Sequence, residues 1–335
     1  MVAIPTHMTA IAIRTPGGPE VLEPVRIPVP AAAPGELLVR VAAAGINRPD
    51  ILQRKGHYMP PPGTTPIPGL EVAGTVVALG SGTTRYRVGD HVCALVAGGG
   101  YAEYCAVPEP QALPIPNGIT EVQAASLPET YFTVWANVFD QGAIKPGERL
   151  LVHGGSGGVG SAAIQIASAL GHDVLATAGT EAKCVACRAF GARVAIPYRA
   201  GADFAGPVKA ATGGEGVDVV LDCLGVPAMR QNLDVLKPRG RLAMIAFLEA
   251  SRGEVELLPA LFKRITLFGS VLRARSVAEK GALAAALEAR VWPLLAAGRM
   301  VPPIDSTFPL AQAAQAQTRM EARAHVGKIV LTTGN

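Results

Sequence analysis

Gly155, Gly157 and Gly160 stand in the spacing Gly-x-Gly-x-x-Gly, directly after the apolar run Leu150-Leu151-Val152-His153 and before an alanine-rich amphipathic stretch. Glycines so spaced suit a chain that turns tightly, lets backbone N–H groups reach a pyrophosphate and packs a helix close on a strand. The N-terminus of the following helix adds positive potential for the phosphates. Gly155, Ser156, Gly157, Gly158, Val159 and Gly160 are therefore assigned to a dinucleotide. Glycine runs that are plain loops lack this strand–turn–helix setting.

The elements around the motif repeat one grammar. Arg149 to His153 is followed by a helix from Val159 to Leu170, in which Val159, Ala162, Ala163, Ile166, Ala167 and Leu170 share one face. Asp173 to Ala178 precedes a helix over Glu181 to Phe190, and Val217 to Cys223 precedes Ala228 to Leu236. Arg241 to Phe247 and Ile265 to Val271 read as further strands. Val217-Asp218-Val219-Val220-Leu221 is nearly all apolar, as expected of a strand covered on both faces. This is the α/β pattern of a doubly wound parallel sheet. Residues 9 to about 125 differ: short apolar runs lie between proline and glycine punctuation, which predicts a β-rich region. Ser276-x-x-Glu279 predicts a capping box opening one long helix to about Gly298, and Lys328 to Thr332 a last strand returning to the N-terminal domain.

Composition narrows the function. A chain of 335 residues suits two domains, and 49% hydrophobic content suits a globular fold. A net charge of +4 with scattered basic residues gives no polybasic patch, and aromatics are only 5%, so nucleic acid and membrane surfaces are disfavoured. No apolar stretch reaches the ~18 residues of a membrane span, and no signal peptide is apparent. Met8 is an alternative start that leaves residues 1–7 as a short mobile leader. The five cysteines share no framework spacing and read as reduced thiols of a cytoplasmic protein.

Gly17-Gly18-Pro19-Glu20, Gly45-Ile46-Asn47-Arg48-Pro49-Asp50, Gly56-His57-Tyr58 with its proline run, Gly89-Asp90-His91-Val92, Gly98-Gly99-Gly100-Tyr101-Ala102-Glu103-Tyr104 and Lys145-Pro146-Gly147-Glu148 extend the pattern over nearly the whole chain. Together they resemble the medium-chain dehydrogenase/reductase superfamily, in its zinc-independent quinone oxidoreductase (zeta-crystallin-like) branch. The triple proline and Leu272-Arg273-Ala274-Arg275 resemble the tumour-suppressor-inducible quinone reductases in particular. The resemblance implies a β-rich GroES-like catalytic domain of residues 1–125 and 271–335, a Rossmann cofactor domain of residues 126–270 inserted in it, a cleft at their junction and a homodimer.

Zinc-dependent relatives place a cysteine where this chain has Asn47 and a histidine where it has Leu70, and the cysteines of their structural zinc lobe are missing. No metal is expected, and Cys184-x-x-Cys187 lacks a second ligand pair. Without a Lewis acid, quinones or activated alkenes are the better hydride acceptors. The second strand ends Ala176-Thr177-Ala178-Gly179-Thr180 with no carboxylate at its tip, Glu181 lies slightly beyond, and Lys183 follows. With Gly179 leaving room and Lys183 as phosphate partner, the expected cofactor is NADPH. By resemblance, Tyr198 lies beside the adenosine 2′-phosphate, Thr133 near the nicotinamide, and Asn47, Asp50 and Tyr58 line the nicotinamide–substrate cleft, where Asn47 is also expected to contact the cofactor. Cys223, Leu224 and Gly225 are expected at the ribose, with Phe247 and Leu272 flanking the nicotinamide. Asn47 and Tyr58 are read as hydrogen-bond donors to a developing oxyanion, and Asp50 as a third cleft residue or a brace of its loop. His153 is read as a structural strand-end residue. The expectation is an NADPH-dependent, metal-independent quinone oxidoreductase. Its rivals are an enal or enone reductase with the same cofactor and a non-catalytic NADPH-binding structural or sensor protein.

Overall fold

Proline and glycine punctuation in the first third of the chain cuts it into short strands. The computed structural model describes residues 4–198 and 202–334, and contacts divide the chain into Met1–Phe132 with Arg273–Asn335, and Thr133–Leu272. The first unit begins with the hairpin β1 (His7–Ile13) and β2 (Leu22–Pro28). Then come β3 (Glu36–Gly45), α1 (Arg48–Arg54), β4 (Glu71–Leu79), β5 (His91–Leu95), β6 (Tyr104–Pro108), β7 (Ala112–Pro114), α2 (Glu121–Ala124) and α3 (Pro128–Val134). The expected leader is shortened: Met8 is buried opposite Ile27, the strand starts at His7, and Thr6 O accepts from Val29 N. Residues 1–3 lie outside the described residues.

The second unit has the predicted alternation. It comprises β8 (Arg149–Val152), α4 (Gly158–Ala169), β9 (Asp173–Ala178), α5 (Glu181–Ala189), β10 (Val194–Pro197) and α6 (Ala205–Ala211). β11 (Val217–Asp222), α7 (Val226–Val235), β12 (Leu236–Met244), α8 (Leu258–Lys263) and β13 (Thr266–Gly269) complete it. All pairings are parallel, in the order β10-β9-β8-β11-β12-β13. The order reverses between β8 and β11, and ligands of such sheets bind at the strand ends beside that reversal. Apolar residues from the strands and from α6 and α7 (Leu151, Leu175, Val220, Leu242, Val208 and Leu233) form one buried cluster.

After this unit the chain returns as α9 (Val277–Arg290), α10 (Trp292–Ala296), β14 (Ile304–Pro309), α11 (Ala313–Glu321) and β15 (Lys328–Thr332). The single helix expected from Ser276 to about Gly298 is two. Pro293 cannot donate to the preceding turn and crowds its carbonyl, so the helix ends at Arg290 and restarts at Trp292. The capping box is present, with Ser276 Oγ accepting from Glu279 N. β15 pairs antiparallel with β3, Val330 opposite Gly45, so the tail enters the sheet of the N-terminal strands. No described helix is long and apolar enough to cross a membrane.

Candidate active site

The glycine turn lies at the C-terminal end of β8, beside the strand reversal. A β-carbon on Gly160 would lie 2.2 Å from Gly154 O and 2.7 Å from Gly155 Cα, and one on Gly155 would meet Cys187 Sγ at 2.8 Å. Packing within the unit therefore accounts for both glycines. It does not account for Gly157: φ is −78° there and the nearest atom to an added β-carbon is Gly154 O at 3.4 Å. Gly157, Gly158 and Val159 keep some exposure, whereas Gly155, Ser156 and Gly160 are buried. The first turn of α4 carries no acidic residue, and its backbone N–H groups have no intrahelical acceptors. The result is an anion cradle with space above Gly157, which fits a pyrophosphate.

Gly179, at the end of β9, likewise has nothing within 4 Å of an added β-carbon. Thr180 caps α5 by accepting from Lys183 N at 3.3 Å, which puts Lys183 in the first turn past the strand. Glu181 is ion-paired with Arg188, so its charge is partly balanced on the helix surface. Tyr198 follows β10, nearly buried, with its ring edge-on to Phe204 and its backbone N donating to Ala178 O. Burial pushes its hydroxyl up, reinforced by Glu249, Asp222 and Cys223. Cys223, Leu224 and Gly225 follow β11: Cys223 Sγ donates to His153 O, and Asp222 accepts from Leu224 N and Gly225 N. Leu248 N donates to Cys223 O, keeping the segment that carries Phe247 against this strand end. Phe247 is 51% exposed, while Leu272 is buried past the end of β13. Thr133 is half-buried in α3, its carbonyl accepting from Asn137 Nδ2. His153 has the expected strand-end place, bonded to Thr177 Oγ1 and Asn232 Oδ1.

In the first unit Asn47 and Glu71 meet a partner the sequence did not suggest. Lys328 Nζ lies 2.6 Å from Asn47 Oδ1, 2.7 Å from Glu71 Oε1 and 2.9 Å from Ile46 O. Asn47 Nδ2 donates to Glu71 Oε1 at 2.8 Å, and Glu71 Oε2 accepts from Glu129 N. The carboxamide expected to face a reacting carbonyl is thus turned into a buried ion cluster. These residues do not fit a zinc ion. Leu70 has no donor atom, and the lone pairs of Asn47 and Glu71 are held by an ammonium; among the described residues no other group of ligands is suitably placed.

Asp50 is fully buried; its Oδ2 accepts from Asn47 N at 2.8 Å and from Tyr101 Oη at 2.9 Å, bracing the start of α1. Burial lifts its carboxyl to about 6, against the pull of those two donors and of Lys328. Tyr58 is half-buried under the Arg273 guanidinium, which lies 5.3 Å from its ring centre and donates to its carbonyl. Arg273 is itself fixed through Nε to Ala97 O, and Lys280 Nζ holds its carbonyl. Burial, then Glu129, raises the Tyr58 hydroxyl to about 12, so it remains a protonated donor. A separate cavity of about 580 Å³ in this unit is lined by Arg273 and Lys280 among others, but not by Asn47, Asp50 or Tyr58. Sequence reading missed Lys328, Glu71, Glu129 and Lys280 as site residues. Lys328 and Glu71 are 257 positions apart, and no local pattern links them.

Two sequence profiles match: the alcohol dehydrogenase GroES-like domain over residues 33–117 and zinc-binding dehydrogenase over residues 158–288. Quinone oxidoreductase of Sus scrofa is 34% identical over 97% of this chain and 97% of its own length. A mycocerosic acid synthase-like polyketide synthase of Mycobacterium tuberculosis is 35% identical over 96% of this chain, which spans only 15% of that protein. Among solved structures, an NAD-dependent alcohol dehydrogenase superposes with a TM-score of 0.87 at 30% identity, covering 98% of this chain and all of that one. Escherichia coli quinone oxidoreductase complexed with NADPH superposes with a TM-score of 0.85 at 31% identity, over 97% and 99% of the two chains. Fold, glycine turn and full-length similarity agree: the chain belongs to the medium-chain dehydrogenase/reductase superfamily and is similar over its full length to quinone oxidoreductases within it.

Proposed function

We propose that the chain is an NADPH-dependent, metal-independent quinone reductase. The observation that carries the reading is the Lys328 ammonium held by Asn47 and Glu71, where zinc-dependent relatives would need ligands. An acceptor here has no Lewis acid to polarise it, which favours quinones over simple alcohols or aldehydes. Bound NADPH supplies the hydride. The turn from Gly155 to Gly160 and the first turn of α4 cradle its diphosphate, and Gly179, Lys183 and Tyr198 surround the adenosine end. Thr133, Cys223, Leu224, Gly225, Phe247 and Leu272 contact the ribose and nicotinamide. Tyr58 donates to the acceptor oxygen, Asp50 braces the loop, and Asn47 aligns the site through Lys328.

Similarity to the Sus scrofa enzyme and to the NADPH-complexed Escherichia coli structure supports the cofactor and acceptor class. The second reading is an enal or enone reductase, which needs the same cofactor and hydride transfer; a match to a segment of a polyketide synthase keeps acceptors other than quinones in the test. The exposed Leu258, Leu261 and Phe262 of α8, close to the edge strand β13, support a homodimer. The five free cysteines suit a cytoplasmic protein. Steady-state oxidation of NADPH against ortho- and para-quinones and enones tests the reading. Turnover of quinones above enones supports it; enones alone support the second reading, and oxidation of neither defeats both.

A further inference from the structure

The cavity of about 580 Å³ in the first unit has no task in the reduction. Its size is that of a small-molecule site. Most of its wall is apolar, with Met8 from β1, Ile27 from β2, Ile67 from the chain before β4, Val96 after β5 and Ala102 before β6. Two of the lining residues are buried cations, Arg273 at 5% and Lys280 at 4% exposure. Arg273 donates through Nε to Ala97 O and through Nη1 to Tyr58 O, while its buried Nη2 has no acceptor among the described residues. The Lys280 ammonium carries three N–H donors, and Arg273 O takes one of them. Interior donors are normally satisfied, because leaving them without acceptors costs stability. Half-buried Arg275 adds a third positive charge to the lining, whose one carboxylate, Glu36, accepts from Ala33 N. Other acids act from outside the lining: Glu129 on both buried cations, Asp50 also on Arg273 and Glu279 also on Lys280. Burial outweighs them all and lowers both cations from their ordinary values.

We propose that this cavity binds a small molecule with an apolar body and one carboxylate, the carboxylate pairing with Arg273 and Lys280 and the body lying along the Met8, Ile27 and Val96 wall. The inference goes beyond the reduction and holds whichever acceptor is reduced. The chemistry of the lining selects the ligand. A guanidinium and an ammonium with spare N–H donors match the two oxygens of a carboxylate, and such charge-assisted hydrogen bonds are stronger than neutral ones. A neutral molecule of the same shape would cover the two cations from water without pairing them, which costs free energy. An inorganic anion would pair with the cations but gain nothing from the apolar wall. The site is distinct from the nucleotide turn: every lining residue belongs to the first unit, and Gly155 to Gly160 to the second.

Calorimetric titration of the full chain with decanoate, decanol and decylamine tests the proposal, since the three share one apolar chain and differ in the charge of the head. Decanoate should bind at least roughly tenfold more tightly than decanol, the gain from one hydrogen bond between charged groups, and decylamine should bind most weakly. Lys280→Met removes the ammonium and keeps an apolar stem; it should weaken decanoate roughly tenfold or more without weakening decanol. Saturating NADPH should not displace decanoate. Absence of decanoate binding overturns the proposal, as does equal affinity for decanoate and decanol. Displacement by NADPH also overturns it, because the carboxylate then occupies the nucleotide turn. Unchanged decanoate affinity in a folded Lys280→Met does the same. If Lys280→Met does not fold, Arg275→Glu decides: a lower ratio of decanoate to decanol affinity supports the site, and an unaltered ratio overturns it.

Discussion

Alanine at Gly157 and alanine at Gly160 should separate binding from folding. At Gly160 the new methyl would sit 2.2 Å from Gly154 O and 2.7 Å from Gly155 Cα, both backbone atoms, so relief requires the turn itself to move. Overpacking of that kind costs about 3 kcal/mol, of which about 1 kcal/mol is returned by alanine's better helix propensity. The net loss of about 2 kcal/mol corresponds to a Tm lower by about 4–8 °C for a unit of this size. At Gly157 the backbone is extended and the nearest atom lies at 3.4 Å, so alanine fits. Its cost to folding is the weaker N-cap alone, about 0.5–1 kcal/mol. The methyl does, however, enter the space above the cradle. Loss of one hydrogen bond to a charged phosphate, about 1.5–3 kcal/mol, weakens NADPH roughly ten- to a hundredfold. Calorimetric unfolding and NADPH titration on both variants measure the split. Gly157→Ala binding NADPH like wild type, or Gly160→Ala melting like wild type, would refute the reasoning.

Lys328→Met removes the cation from a buried carboxylate and should cost about 3–5 kcal/mol in urea unfolding. Most of it should return when Glu71→Gln is added; a loss under about 1 kcal/mol contradicts the cluster. The Asp50 and Glu129 carboxyls are raised to about 6 and about 8, above their unfolded values of 3.8 and 4.5, so the folded chain holds more protons than the unfolded one across that window. Their contribution to stability is present in full below the unfolded values and is lost as pH rises through the folded ones; unfolding free energies of wild type and Asp50→Asn/Glu129→Gln between about pH 4 and 8 should show the slope flattened in the variant. Lys183→Glu should abolish preference for NADPH over NADH, and unchanged selectivity in the two titrations defeats that assignment. Phe262→Glu should convert a dimer to a monomer by light scattering without altering the fold by circular dichroism.

The fold was legible where physics is local. The alternation of period-two and period-3.6 segments marked the parallel sheet, because Leu150, Val220 and Ala163 must be buried by elements adjacent in sequence. The glycine turn was legible for the same reason: Gly155 and Gly160 are dictated by contacts within one strand–turn–helix unit. The break at Val291 was also readable, since Pro293 stands in plain view, but the alanine pattern on either side concealed it. Less local contacts were hidden. Asn47 reads as a free donor beside Pro49 and Asp50, and only folding reveals that Lys328 and Glu71 claim its carboxamide. Glu129 reads as an ordinary first-turn acid of a helix until Glu71 and Asp50 are found beside it.

The most direct test of the central claim is a single-turnover experiment with chelator present. Protein loaded with NADPH is mixed rapidly with a para-quinone, and nicotinamide absorbance is followed. The account predicts stoichiometric loss of NADPH at a rate indifferent to the chelator, and at least roughly tenfold weaker loading with NADH. No oxidation, or oxidation that the chelator abolishes, would contradict it.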